Sequence, residues 1–252
     1  MPTMNALHEI LRTPVDDTTP DPTGQPPLVG RRLVREILGV GQLARLLTHA
    51  PGLLRLPHGD NAPVLVIPGF GAGDGSTAVI RRFLRALRYN VSGWGLGRNR
   101  GNVSELIPAV TALAAQIAAE SGRKTHLVGW SLGGYLAREA ARERPDVVAN
   151  VITYGSPVVG GPKYTATAEA YRRAGYDLDA IEASVRDRER TPIRVPVTAI
   201  FTRRDLVVDW RACIDRVNPD VEHLEVFTTH LGLGFCPEVY RIVAGRLADH
   251  PG

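Results

Sequence analysis

Two cysteines, Cys213 and Cys236, in 252 residues are too few for a disulfide scaffold. Lysine is as scarce: only Lys124 and Lys163 are present, so the basic excess behind a formal charge of +4 is arginine. Those arginines are interspersed with Asp and Glu rather than gathered in a stripe, so no nucleic-acid partner is expected. No uninterrupted apolar run approaches the ~20 residues of a membrane-spanning helix, so no integral membrane segment is expected. Residues 1–9 lack a basic stretch followed by an apolar core, so a cytoplasmic location is expected rather than secretion. The phosphate-binding signatures G-x-x-x-x-G-K-[ST] and G-x-G-x-x-G are both missing, which argues against a P-loop and a dinucleotide fold. No cofactor or metal is expected.

The remaining composition, 44% hydrophobic and 22% charged, is that of a globular enzyme, and the length suits one α/β domain with a large core. Residues 1–27 include a polar, proline-rich tract with little to bury and read as a flexible or extended arm. From 28 to 56, Leu33, Ile37, Val40, Leu43, Leu46 and Leu47 recur at helical spacing. With Arg31, Arg32, Arg35 and Arg45 mostly off that stripe, a basic membrane-surface helix is one reading. Gly39, Gly41 and Pro51 interrupt any long interfacial face, however, and favour a helix pair packed on the body of the domain. Beyond it, apolar runs at 62–67, 91–96, 126–130, 148–154, 195–201 and 224–227 read as strands. Helical stretches at 75–88, 104–121, 135–144 and 237–248 lie between and after them. Such alternation predicts an α/β fold with a mostly parallel sheet of about six strands and helices on both faces. Residues 157–191 break the rhythm; about 35 residues without a strand suggest an insertion with a role, read as a small helical cap over the site.

The centre of the chain is Leu127-Val128-Gly129-Trp130-Ser131-Leu132-Gly133-Gly134. An apolar run ends in a serine between glycines and a helix follows directly, the context of a G-x-S-x-G nucleophile elbow. The strand-to-helix turn is tight, so the positions two before and two after the serine cannot carry bulk. A nucleophilic serine needs a base, and the base an orienting acid. Ligands in a parallel sheet bind beyond the strands' carboxyl ends. Of the seven histidines, His230 follows a strand there; His126 begins a strand and His223 precedes one, at the wrong end. Asp205 is the first carboxylate after the 195–201 strand, with Asp209 its rival. The order Ser131, Asp205, His230 matches one of the known orders of serine hydrolase triads. The amide of Leu132 would meet a developing oxyanion at the helix N-terminus. The glycine-rich loop 68–76 offers the Phe70 amide as its partner, with Gly69 beside the substrate. Trp94 and Trp130 are candidates to line an apolar acyl pocket.

These segments together resemble α/β-hydrolase esterases and lipases, over roughly 62–247. The likeness is carried by Leu65-Val66-Ile67-Pro68-Gly69-Phe70, the run from Gly93 to Asn99, the serine elbow, Asp205-Leu206-Val207-Val208-Asp209-Trp210 and His230-Leu231-Gly232-Leu233-Gly234. It is strongest with bacterial lipase-like carboxylesterases, and implies hydrolysis of small-molecule carboxylic esters without a cofactor. Relatives often carry cysteine after the histidine and asparagine before the late proline; here they are Leu231 and Cys236. A Cys213–Cys236 disulfide would staple the acid loop to the base loop, whereas a reducing compartment favours two buried thiols. Acyl transfer, interfacial lipolysis and a catalytically silent binding protein are the alternatives, and homo-oligomerisation is left open.

Overall fold

The computed structural model describes residues 12, 19–26, 28–218 and 220–250. Six strands form one all-parallel sheet: β1 (Pro63–Ile67), β2 (Asn90–Gly93), β3 (Thr125–Trp130), β4 (Val148–Tyr154), β5 (Val197–Phe201) and β6 (Val221–Glu225), in the order β2-β1-β3-β4-β5-β6. β1, β3 and β5 are buried along their whole length, as continuous apolar runs in a sheet covered on both faces must be. Alternate residues divide between two cores. Val64, Val66, Val128 and Ile152 pack with α3 (Ala78–Ala86) and α9 (Pro237–Asp249). Leu65, Ile67, Leu127 and Val151 pack with α4 (Val103–Ser121) and α5 (Leu132–Glu143).

The cores explain two features of the helices. α4 is long and apolar enough to cross a membrane by length and composition, yet it turns Ile107, Val110, Ala114 and Ile117 into the second core. It ends at Gly122 in the left-handed conformation, φ 67°, a cap that costs glycine least. α5 buries nearly every residue, including Arg138, which pairs with buried Asp215. The helix expected over 75–88 is instead a 3₁₀ turn (Asp74–Thr77) followed by α3.

Residues 19–26 lie along the acid loop: the Thr23 amide donates to Asp209 Oδ2 at 2.8 Å, and the Gln25 amide group to Asp205 O at 3.2 Å. Most of residues 1–18 lie outside the described residues. The helix pair exists, as α1 (Arg31–Gly39) and α2 (Gln42–Leu53), and on α2 Leu43 and Leu46 pack into the first core as expected, but on α1 the apolar stripe is not the buried side. Of the six stripe residues only Leu46 is buried; on α1 the buried residue is Glu36. Within 157–191 the structure has a 3₁₀ turn (Gly161–Tyr164), α6 (Ala168–Arg173) and α7 (Leu178–Glu189), the last capped by the Asp177 carboxylate. Cys213 and Cys236 are buried free thiols in different cores, so no disulfide links the two loops.

Candidate active site

The sheet order places β1 between β2 and β3, so consecutive connections leave its carboxyl edge in opposite directions. A crevice opens at such a switch point. Its walls here are the loop after β1 and the turn after β3. That turn is sharp: Ser131 has φ 54° and ψ −124°, a left-handed backbone that a non-glycine residue adopts only under constraint. The constraint is visible on both sides. The Ser131 amide donates to Tyr154 O at 2.9 Å, and its carbonyl accepts from Gly134 at 2.9 Å. A Cβ at Gly129 would overlap Gly134, and one at Gly133 would overlap the Ile67 and Pro68 carbonyls. Helix, elbow and β1 can approach this closely only because those positions have no side chain.

Asp205 and His230 come together from loops after β5 and β6. The amides of Val207 and Val208 donate to Asp205 Oδ1 at 2.8 and 2.7 Å, which fixes the carboxylate with Oδ2 toward the imidazole. His230 Nδ1 lies 2.7 Å from that oxygen. A carboxylate only accepts, so Nδ1 carries the proton and Nε2 keeps its lone pair. Burial pushes the imidazolium down, but the charge and hydrogen bond of Asp205, with a smaller contribution from Glu36, outweigh it. The pKa is therefore raised above the ordinary 6.5. His230 is the first residue of a single helical turn, α8 (His230–Leu233), capped by Thr229. Asp209 points elsewhere, accepting from Thr23, from the Arg211 amide and from the Arg211 guanidinium. His126, on β3, bonds Asn150 on β4. His223, within β6 rather than before it, accepts the Asp215 amide and is pushed down to about 4 by burial.

Sequence reasoning missed Glu36. Its side chain is fully buried and crosses from α1 to both loops of the pair. Oε1 accepts the amides of Leu206 at 2.9 Å and His230 at 3.3 Å; Oε2 accepts Leu231 at 2.9 Å. One carboxylate thus joins the acid loop to the first turn of α8. No local signal could reveal it, because its partners lie some 170 to 195 positions along the chain.

Ser131, His230, Gly69, Phe70, Trp130 and Leu132 all line one cavity of about 890 Å³. Among the described residues, the amides of Phe70 and Leu132 donate to no protein acceptor, and the Ser131 hydroxyl makes no hydrogen bond. Leu132 begins α5, where amides have no intrahelical partner. The loop carrying Phe70 is held in place by Asn99. Its amide donates to Ala72 O, its carbonyl accepts from Gly71, and its side chain donates to Pro68 O at 3.0 Å. The 93–99 segment is therefore a brace behind the loop, and Trp94 belongs to it. Against expectation Trp94 does not line the cavity: it is packed in the second core, with Nε1 donating to Gly97 O at 3.0 Å. Trp130 does line it, with its ring 6.0 Å from that of His230. The 157–191 segment adds Tyr171, Tyr176, Ile181 and Val185 to the wall, with Tyr171 against Phe70 at 5.2 Å. Among the described residues no group of three His, Cys, Asp or Glu could hold a metal ion.

An imidazole held in this tautomer can take a proton from a hydroxyl on the same wall, and two undonated amides can receive negative charge. Comparison with known proteins places the geometry in context. The alpha/beta hydrolase family profile matches residues 64–250. A curated protein, pimeloyl-[acyl-carrier protein] methyl ester esterase from Aliivibrio salmonicida, is 29% identical over 112 residues, 43% of this chain and 40% of that protein. The chain thus spans less than half the length of that relative. Among solved structures, a monoacylglycerol lipase from Paleococcus ferrophilus superposes with a TM-score of 0.56 at 16% identity, over 77% of this chain and 97% of the other. A putative aryl esterase from Burkholderia cenocepacia gives 0.56 at 17%, over 77% and 92%. At such identities the likeness is one of fold.

Proposed function

The chain belongs to the alpha/beta hydrolase family, and we propose that within it this protein hydrolyses carboxylic esters through an acyl-enzyme on Ser131. The observation that carries the reading is the 2.7 Å pair of Asp205 and His230 on the wall of the cavity that also holds the strained Ser131 turn. In this mechanism His230 Nε2 takes the Ser131 proton as Oγ attacks the ester carbonyl. Asp205 holds the tautomer and stabilises the imidazolium that forms. The tetrahedral oxyanion is received by the amides of Phe70 and Leu132, each worth ~3 kcal/mol of transition-state stabilisation. His230 then gives its proton to the departing alkoxide, which leaves as the alcohol. Water, deprotonated by the same nitrogen, releases the acid and restores Ser131.

A cavity of about 890 Å³ walled by Phe70, Trp130, Leu132 and Tyr171 suits a short- to medium-chain acyl or aryl ester. Further support comes from kinship with a protein named as a methyl ester esterase, matched over part of its length. The test is turnover of p-nitrophenyl butyrate by Ser131→Ala. The substitution leaves no cavity and should keep the fold, while lowering kcat by at least about 10⁴-fold. A variant that turns over at close to the wild-type rate would remove Ser131 as nucleophile.

A further inference from the structure

Helix α1 turns its polar side inward. Arg32, Glu36 and Gly39 face the protein: Arg32 donates to Leu206 O at 2.8 Å, Glu36 accepts three amides, and a Cβ at Gly39 would overlap the Thr229 side chain. At 100° per residue the arc away from Arg32, Glu36 and Gly39 holds Leu33, Val34, Ile37 and Leu38, and Val29 and Val40 flank the helix just beyond its two termini. These six are 37% to 69% exposed, and Leu47 on α2 and Leu54 just after it are exposed as well. Eight of the thirteen exposed large hydrophobic residues among the described residues therefore fall within positions 29–54, a concentration that marks a binding surface.

The charge around this face has one sign. Positions 28–59 carry five arginines and a single acid, Glu36, which is buried. Arg32 faces inward and Arg45 pairs with Glu238 at 2.5 Å. Arg31, Arg35 and Arg55 have no ion-pair partner among the described residues; Arg31 and Arg35 border the apolar arc. Leu28, one residue before Val29, lines the cavity, so the chain runs directly from the site to this helix.

We propose that the outward face of α1 docks on an anionic lipid bilayer, its aliphatic arc entering the headgroup boundary while Arg31 and Arg35 meet lipid phosphates. This concerns where the protein sits, and holds whether or not the esterase reading does. The test is flotation of the intact protein with phosphatidylcholine vesicles and with vesicles that also contain phosphatidylglycerol, at low and high salt. Wild type should float with the anionic vesicles, less so as salt rises, and poorly with phosphatidylcholine alone. Val34→Ser/Ile37→Ser/Leu38→Ser should lower partitioning about tenfold or more, and Arg31→Glu/Arg35→Glu should abolish the preference for anionic lipid. Both should keep wild-type turnover of soluble p-nitrophenyl butyrate. Absence of flotation at low salt, equal flotation of the triple variant, or equal binding to neutral vesicles would overturn the proposal. So would a wild-type dimer in sedimentation equilibrium that the triple variant dissolves, since the face would then belong to a second copy.

Discussion

Replacing Glu36 with glutamine changes one atom and should disturb both halves of the Asp205–His230 pair. In the wild type Oε1 serves Leu206 and His230, and Oε2 serves Leu231. Glutamine has one carbonyl oxygen. Placed at the Oε1 position it still accepts from the Leu206 and His230 amides and sets its NH₂ against the Leu231 amide, which is left buried and unpaired. That loss costs about 1–3 kcal/mol, and the two surviving bonds weaken from charge-assisted to neutral. A total of roughly 2–4 kcal/mol corresponds to a fall in Tm of about 5–15 °C for a domain of this size. A shift of α8 would move the imidazole away from Ser131, and kcat should drop by about 10–100-fold with a smaller change in KM. The electrostatic effect has its own signature. Glu36 helps raise the His230 pKa, so without its charge the proton leaves more easily and the acid limb of kcat/KM moves to lower pH. Glu36→Asp keeps the charge and should keep the limb. The assays are thermal denaturation and a pH profile with p-nitrophenyl butyrate. Wild-type Tm and kcat in the glutamine variant would refute the bridging role. A lowered Tm with an unmoved acid limb would refute the electrostatic one.

Asp205→Asn should lower kcat by about 10⁴-fold, because an amide cannot hold the Nδ1–H tautomer in the same way. Asp209→Asn, whose carboxylate serves Thr23 and Arg211 instead, should cost far less, and the reverse ranking would transfer the acid role. In the wild type, kcat/KM should rise with pH through a midpoint above 6.5, since His230 must be neutral to act and its pKa is raised; a flat profile from pH 5 to 8 would contradict a histidine base. The same shift governs stability. The folded state holds the His230 proton more tightly than the unfolded chain does. The stability advantage of wild type over His230→Gln should therefore be greatest below pH 6.5 and shrink as pH climbs through the native pKa. Chemical denaturation at several pH values measures it, and an advantage that grows with pH would be the wrong sign.

The parts of this molecule that local chemistry dictates could be read from the chain. The elbow glycines are forced by backbone contact with Ile67 and Gly134, and an apolar run before a serine leaves few other geometries. β4 is legible to the residue because it is a mostly apolar run buried on both faces. The edge strand β6 is not: Glu222 and Glu225 on it pair with Arg246 and Arg203, so its apolar run starts three residues after the strand does. Trp94 was misread because an aromatic beside a glycine loop looks the same whether it lines a pocket or braces the loop's partner. α1 was misread more deeply. Periodicity locates an apolar face but not the side that is buried, which is set by Glu36 and Gly39, whose partners are remote in sequence.

The central claim is that the Ser131 oxygen becomes covalently acylated. It is tested most directly by treating the protein with a fluorophosphonate and locating the adduct by peptide mass spectrometry. Stoichiometric labelling of Ser131 is expected, with no adduct at all in Ser131→Ala and much slower labelling in Asp205→Asn and below the His230 pKa. An unlabelled Ser131 in active protein, or an adduct on another residue that tracks the loss of activity, would contradict it.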